Sequence, residues 1–444
     1  MATREPNTRL ALLHREAGWT NSQFVMAVNR IGTERGTPTR YQHPSVSQWI
    51  GGLLPKKETR PLILEALTRR LKRPITADNA GFPPTVDADS PGITAGIIDL
   101  GSKDMLPSRR GITNATLFSV ALTIPNWQEI VGRMEKTQQG STVRIGQSDV
   151  DSVIAMTERF SELDDQFGGR YARPSAAAFL VNIVAPYLRA DAPDAVRRSM
   201  MAAASDLCYL TGYMAVDEGL EGLAQQYYLR ALELAGASGD HLTYCTTLRG
   251  MSVQAVGLGH GGTALRLADA AAAASPQAGP RMRAFLAGQQ AHAAAQCGDS
   301  VTALQYLKEA EVAMDKAESR EKTFGSYDPS ALYYHIGHVR HQLGDLPGAI
   351  EAMGESGRLC YEMRRRSRIR HRATLAQFQI QNGHLEQACA TWGLVLDEYP
   401  LVQSGRVDRQ VKQMISAIGQ HGRNPYARSL YERARSLIPA SLNS

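Results

Sequence analysis

The chain has 444 residues, 43% of them hydrophobic and 21% charged, with a formal charge of +6. That length exceeds one small core, so two or more domains, or a domain joined to a repeat array, are expected. No run of eighteen apolar residues occurs, which excludes a membrane span, and the opening MATREPNTRL is not followed by a signal-type apolar stretch, so a cytoplasmic protein is expected. Cys208, Cys245, Cys297, Cys360 and Cys389 are odd in number, far apart and form no CxxC pair. They read as buried or semi-buried thiols, not as a disulfide framework or metal site.

The charge is uneven. Residues 1–73 hold thirteen Lys/Arg against five Asp/Glu, a surplus of eight, whereas the remaining 371 residues carry about −2. A compact basic unit attracts polyanions. Within it, Leu10, Leu13 and Ala17 mark a first helix ended by Gly18. Thr20 and Gln23 are spaced as a capping box for a second, whose buried face is Phe24, Ala27, Val28 and Ile31. After a polar passage from Gly32 to Gln42, Pro44 suits the first position of a third helix that Gly51-Gly52 should stop. Its periodicity turns Val46, Trp49 and Ile50 inward and presents Ser45, Ser47 and Gln48 on another side. A fourth helix over Pro61–Leu71 closes the core, with Arg69, Arg70, Lys72 and Arg73 around its end.

AGWTNSQF and VSQWIGG resemble the second-helix start and the recognition helix of the bacterial repressor-like helix-turn-helix family. The resemblance implies a DNA-binding domain over residues 1–75, with Ser45, Ser47 and Gln48 facing the major groove. Arg40, His43, Lys56 and Lys57 flank that helix as further DNA-contact candidates. The 32–43 passage is longer than the family's tight turn, so Arg40 is open to two roles, a backbone contact or a plain loop position.

Residues 76–143 are rich in Pro, Gly and Asp and read as a linker with short ordered pieces. The apolar LFSVALTIP at 117–125 reads as a strand or short buried helix. Helical rhythm returns at Arg144: Val150, Val153, Ile154, Met156, Phe160 and Leu163 share one broad face, Ser148 and Asp151 are spaced as a cap, and a further helix is expected over Ala176–Arg189. This 144–194 stretch is read as a connecting helical segment.

From about residue 195 to 440 the sequence repeats. Glycines at 219, 259, 298, 344, 383 and 422 are 40, 39, 46, 39 and 39 residues apart. Alanine follows each by five residues: Ala224, Ala264, Ala303, Ala349, Ala388 and Ala427. Position nine is mostly bulky, and position twelve is small or β-branched. A small residue at a close helix crossing and a large one filling the adjacent groove are what stacked helix pairs need. GDSVTALQYLKEA, GDLPGAIEAMGES and GHLEQACATWGLV resemble the second helices of tetratricopeptide repeats, and Gly212 and Gly337 fall where that motif favours a small residue. The expected fold is therefore all-α: a small helix-turn-helix domain, a helical linker region and a superhelical array of tetratricopeptide-like helix pairs.

This arrangement, with RIGQSDVDSVIAMTERFSELDDQFGG between the two parts, resembles actinobacterial transcriptional regulators of secondary metabolism and sporulation. The resemblance implies a dimeric, sequence-specific regulator, often a repressor, on palindromic double-stranded DNA, whose array dimerises, senses an effector, or does both. The alternative is a protein-interaction scaffold whose N-terminal domain does not bind DNA. No GxxxxGK[ST], HExxH or GxSxG motif occurs, so neither an enzyme nor a cofactor is expected. His335, His338 and His341 read as packing residues, with no metal site expected. The arginine run at 364–372 leaves three readings open: a solvated face, a supplementary DNA-backbone contact, or a socket for a peptide carboxylate or small anionic effector. The socket would use Arg364, Arg365, Arg368 and Arg372.

Overall fold

A computed structural model describes residues 6–34, 38–56, 58–71, 75, 79–82, 92–105, 144–274, 278–317, 327–361 and 364–437. The described residues are all-α, without strands; a single β-bridge joins Arg144 and Asp191. The apolar 117–125 segment, Arg35, Lys57, Lys72 and Arg73 lie outside the described residues.

Four helices make the N-terminal head: α1 (Thr8–Glu16), α2 (Asn21–Glu34), α3 (His43–Ile50) and α4 (Arg60–Leu71). The capping box is present, with the Thr20 amide donating to Gln23 Oε1 at 2.9 Å and the Gln23 amide donating to Thr20 Oγ1 at 3.2 Å. Leu10, Phe24, Val28, Val46, Trp49 and Leu67 pack into one core, which extends past residue 75 to Ala80 and Phe82. Asn29 organises the long passage before α3: its amide donates to the Tyr41 carbonyl at 2.8 Å and its Oδ1 accepts from the Tyr41 amide at 3.0 Å. Tyr41 in turn stands edge-on to Trp49, ring centroids 5.2 Å apart.

Helix α5 (Ile93–Met105) is an ordered piece of the linker that packs against the connecting segment and the first helix pair of the array. Its Asp104 accepts from the Tyr227 hydroxyl at 2.8 Å and pairs with Arg173. Helix α6 (Gln147–Phe167) starts earlier than the Ser148–Asp151 spacing suggests, because Asp149 accepts from the Gly146 amide at 2.8 Å. The helix expected over 176–189 also starts earlier: α7 (Gly169–Phe179) follows Gly168, whose φ of 93° breaks the chain direction. It then runs through a π-helical turn at Leu180–Val184 into Ala185–Tyr187.

Six helix pairs make up the array: α8 (Asp194–Glu218) with α9 (Glu221–Ser238), α10 (His241–Gly257) with α11 (Gly261–Ala274), α12 (Pro280–Gln296) with α13 (Ser300–Asp315), α14 (Pro329–Gln342) with α15 (Leu346–Leu359), α16 (Arg365–Gln381) with α17 (Leu385–Glu398), and α18 (Gly405–Gly419) with α19 (Pro425–Leu437). The expected register is the observed one. All six alanines five residues past the turn glycine are fully buried, as are Ala231, Ala271, Ala310, Ser356, Val395 and Ala434 at position twelve. Gly219, Gly259, Gly298, Gly344 and Gly383 have φ between 79° and 87°, a left-handed turn that glycine adopts without strain. The small residues seven before the turn meet the bulky ones nine after it: a Cβ at Gly212 would stand 2.9 Å from Tyr228, and one at Gly337 would stand 3.0 Å from Met353. These packed pairs form a tetratricopeptide-like superhelical array.

The array closes through the connecting segment. The Gln403 amide, before the sixth pair, donates to the Phe167 carbonyl at 2.6 Å, and the Arg170 amide returns to the Gln403 carbonyl at 3.2 Å. Gly405 lies so close to Glu218 that a Cβ there would stand 2.7 Å from its carbonyl oxygen. First and last pairs thus share one junction.

The register has a direct test. Ala303→Trp should overpack the α12–α13 crossing and cost about 1–3 kcal/mol or more, whereas Val301→Trp, two residues away and 76% exposed, should be nearly neutral. Urea unfolding of both variants checks this; equal midpoints would mean that the assigned crossing is wrong.

Candidate functional site

Two surfaces stand out. On the head, α3 buries Val46 and Trp49 and leaves His43, Ser47 and Gln48 exposed, with Ser45 half-buried. Ser47 Oγ accepts from the Asn21 side-chain amide at 3.0 Å, which ties the exposed face of α3 to the start of α2. Arg40 and Lys56 are exposed on either side of this helix. These candidates occupy one neighbourhood in sequence and on the head; Lys57 lies outside the described residues.

The arginine run divides by helical periodicity. Arg365, Arg368 and Arg372, at spacings of three and four, turn to Glu398 on the paired helix, at 3.7, 2.5 and 2.6 Å respectively. Arg364 pairs with Asp328 at 2.7 Å. Arg366 is 2% exposed and enters the closing junction, where it meets Asp164 at 2.6 Å, Asp165 at 3.2 Å and Asp217 at 3.5 Å. Asp217 also accepts from Ser404 Oγ at 2.8 Å and from the Gly169 amide at 3.2 Å.

Arg370 points elsewhere. With Arg249 and Arg406 it lines a cleft of about 490 Å³ on the inner faces of α8, α10, α12, α14, α16 and α18. Arg364 and Arg409 lie at the same cleft, so five arginines face one carboxylate, Asp328, which is already held by Arg364. Among the described residues no carboxylate is in ion-pairing distance of Arg249, Arg370 or Arg406. Arg370 reaches the Tyr334 hydroxyl at 3.4 Å, and Arg249 lies over the Phe285 ring at 3.5 Å. Burial, the largest influence on both, pulls the Arg249 and Arg406 guanidiniums below their ordinary range. For the Tyr213 phenol at the cleft wall, burial works against ionisation, but Arg366, Arg370 and Arg406 outweigh it and bring the phenol below its usual value. Sequence reasoning singled out the arginine run but missed Arg249 and Arg406, which come from distant repeats.

His292, His335, His338 and His371 are packing groups of the same wall, and His341 packs outside it. Tyr327 Oη and His335 Nδ1 are 2.7 Å apart, His338 stacks on His292 with ring centroids 4.8 Å apart, and His341 stacks on Phe378 at 4.3 Å. No group of three metal-ligating side chains occurs among the described residues. Cys208, Cys245 and Cys389 are buried as expected and Cys360 is half-buried, but Cys297 is exposed, since it sits beside the turn at Gly298. No described helix is long and apolar enough to cross a membrane.

A family model described as the SP15 N-terminal domain matches residues 10–83, a span that coincides with the head and its extension to Phe82. No curated protein matches the chain.

Burial lowers the His292 pKa to about 4 and that of His371 to about 3, and takes His335 and His338 well below the usual value. Above pH 6.5 these rings are neutral in both folded and unfolded chains. Below it the unfolded chain takes protons that the fold refuses, so stability is lost as pH falls toward the folded values, by roughly 1.4 kcal/mol per pH unit per histidine. The urea midpoint should therefore fall between about pH 7 and pH 5, and less steeply in His292→Phe, which keeps an aromatic ring against His338. Parallel pH profiles would assign the acid sensitivity to other groups.

Proposed function

We propose that this chain is a protein-interaction scaffold in which the helical array is the binding element and its inner cleft the working surface. The observation that carries the reading is the cleft itself: six helices, one from each pair, converge on it, and it keeps polar atoms without hydrogen-bond partners among the described residues, including Arg249 Nε, Gln289 Oε1, His338 Nε2 and Gln410 Oε1. Buried polar atoms are ordinarily satisfied, and a concave repeat surface gathers side chains distant in sequence onto one ligand. A photo-crosslinking residue at Gln413, on the cleft wall, should give discrete adducts in cell extract that the same residue at the exposed outer Val301 does not. Identical adduct patterns at the two positions would remove the cleft as the working surface.

A second reading, sequence-specific DNA binding by the head, is supported by the exposure of Ser47 and Gln48 on a helix that Val46 and Trp49 hold to the core. On this reading the chain is a dimeric cytoplasmic transcriptional regulator, repressive in its resembled group, and the array supplies dimerisation or effector sensing. Selection of genomic fragments with the purified protein should recover a preferred duplex, with inverted half-sites if the protein binds as a two-fold dimer. Gln48→Ala should then weaken that duplex selectively by roughly 1–3 kcal/mol, and Lys56→Ala should weaken all duplexes and reduce the salt dependence. Recovery of no preferred duplex at moderate salt leaves the scaffold reading alone.

A further inference from the structure

We infer that the inner cleft of the array binds a small polyanion, a compact molecule carrying two or more phosphate or carboxylate charges. This rests on the cleft being the working surface, and it adds the chemistry of the occupant. Three observations carry it. The first is the charge balance among the described residues lining the cleft: five arginines, of which Arg364 is already held by Asp328 and Asp165, stand against the one carboxylate of Asp328. A single carboxylate would offset only one of these charges, so the complement is a multiply charged ligand. The second is that no carboxylate among the described residues lies in ion-pairing distance of Arg249, Arg370 or Arg406, although, against burial, the Tyr334 and Tyr213 phenols and Asp217 hold Arg370 above its ordinary range. Of the carboxylates whose charge reaches Arg406, Asp164 and Asp217 are engaged by Arg366, Asp217 also by Ser404, and Glu221 by the Gln254 amide at 2.8 Å. Arg370 and Arg406 therefore oppose one another across the cleft. The third is geometry. A recess of about 490 Å³ walled on several sides by helices is in the size range of small-molecule sites.

Guanidinium forks match the paired oxygens of phosphates and carboxylates. The Gln289 and Gln410 side-chain amides donate to Ser252 and Thr374 and turn carbonyl oxygens unpaired among the described residues toward the recess, which would accept from a hydroxyl or N–H of the ligand and not from its oxyanions. Tyr334, in contact with His338 and His371 at 4.4 and 4.9 Å between ring centroids, supplies an aromatic wall beside the charges. Phosphate esters and polycarboxylates share the oxyanion chemistry, and pyrophosphate and citrate as probes tell them apart.

The experiment is calorimetric titration of the full chain at constant ionic strength with pyrophosphate, ADP, citrate and a short glutamate peptide, alongside thermal melting. Binding of pyrophosphate or ADP, or of citrate, is expected, with a rise in melting temperature. Arg370→Gln and Arg406→Gln should each weaken it by about tenfold or more, the loss of one charge-assisted contact. Arg433→Gln, on a surface pair with Asp397, should leave it unchanged. Because Arg406 has no carboxylate partner among the described residues, its replacement should not lower the melting temperature of the free protein, which separates lost binding from lost folding. Failure of all three small anions to bind, or binding that both cleft substitutions leave intact, overturns the inference. Binding of the glutamate peptide alone also overturns it while leaving the scaffold reading in place, whereas cleft crosslinks no different from those at Val301 count against the scaffold reading itself.

Discussion

The closed arrangement of the array depends on one buried charge cluster. Arg366 inserts from the fifth pair between Asp164 of the connecting helix and Asp217 at the end of the first pair. Bringing such charges out of water costs several kcal/mol per ion, and the cost is recovered only when every partner is hydrogen-bonded in good geometry. Here Asp217 also takes Ser404 and Gly169, and Arg366 also takes the Asp164 carbonyl at 3.1 Å, whereas Asp164 Oδ1 has no partner among the described residues and burial, against the pull of Arg366, pushes that carboxyl up to about 8. Such a cluster tolerates little displacement of any of the four segments that meet in it. That is the physical reason the inner cleft is preformed: repeats that otherwise contact only neighbours are held at a fixed curvature by a junction between the first pair and the last two.

The same helix carries both kinds of arginine. On α16, positions 366 and 370 are one turn apart and share the inward side, while 365, 368 and 372 form the stripe that meets Glu398. Arg366 finds carboxylates at the junction, whereas Arg370, one turn on, reaches the Tyr334 hydroxyl and feels Tyr213 and Asp217 from a distance. Burial pulls the Arg249 and Arg406 guanidiniums below their ordinary range, which costs the free fold stability, and retention of such groups is the usual trade between stability and a binding surface. The stripe, by contrast, holds α16 to α17 through the one carboxylate of Glu398 that its three arginines share.

Much of the array was legible in the sequence because its constraint is local and recurs. An alanine five residues past a turn glycine is fixed by the crossing within one pair, so spacing alone locates it, and every one of the six is fully buried. The sixth turn, at Gly422, differs: that glycine is not among those with positive φ, and Asn424 caps the next helix through the Tyr426 amide at 2.9 Å. The head was legible for a similar reason, as Val46 and Trp49 follow helical periodicity. The junction and the cleft were not. Asp164 and Arg366 are 202 residues apart, and no spacing rule relates them. The cleft draws Arg249, Arg370 and Arg406 from three different pairs, so its charge surplus exists only after the array has curved. The start of α6 was missed by two residues for a smaller reason: Asp149, rather than Ser148, satisfies the free amide at Gly146.

Cleft and junction are linked by adjacency, and this bears on how the head could sense the array. A ligand that neutralises Arg370 and Arg406 binds the closed fold and not the unfolded chain, so it stabilises closure by mass action in proportion to its concentration over its dissociation constant. The stabilisation is felt at the first pair through Asp217, and at the same pair α5 is anchored by Asp104 to Tyr227 and, through Arg173, to Glu218 at 2.5 Å. Helix α5 is the described element nearest in sequence to the head. An effect on the head requires more than binding: the ligand must hold two arrangements of this junction with different affinity. The buried Asp104–Arg173–Glu218 chain ties α5 to the end of the first helix of that pair.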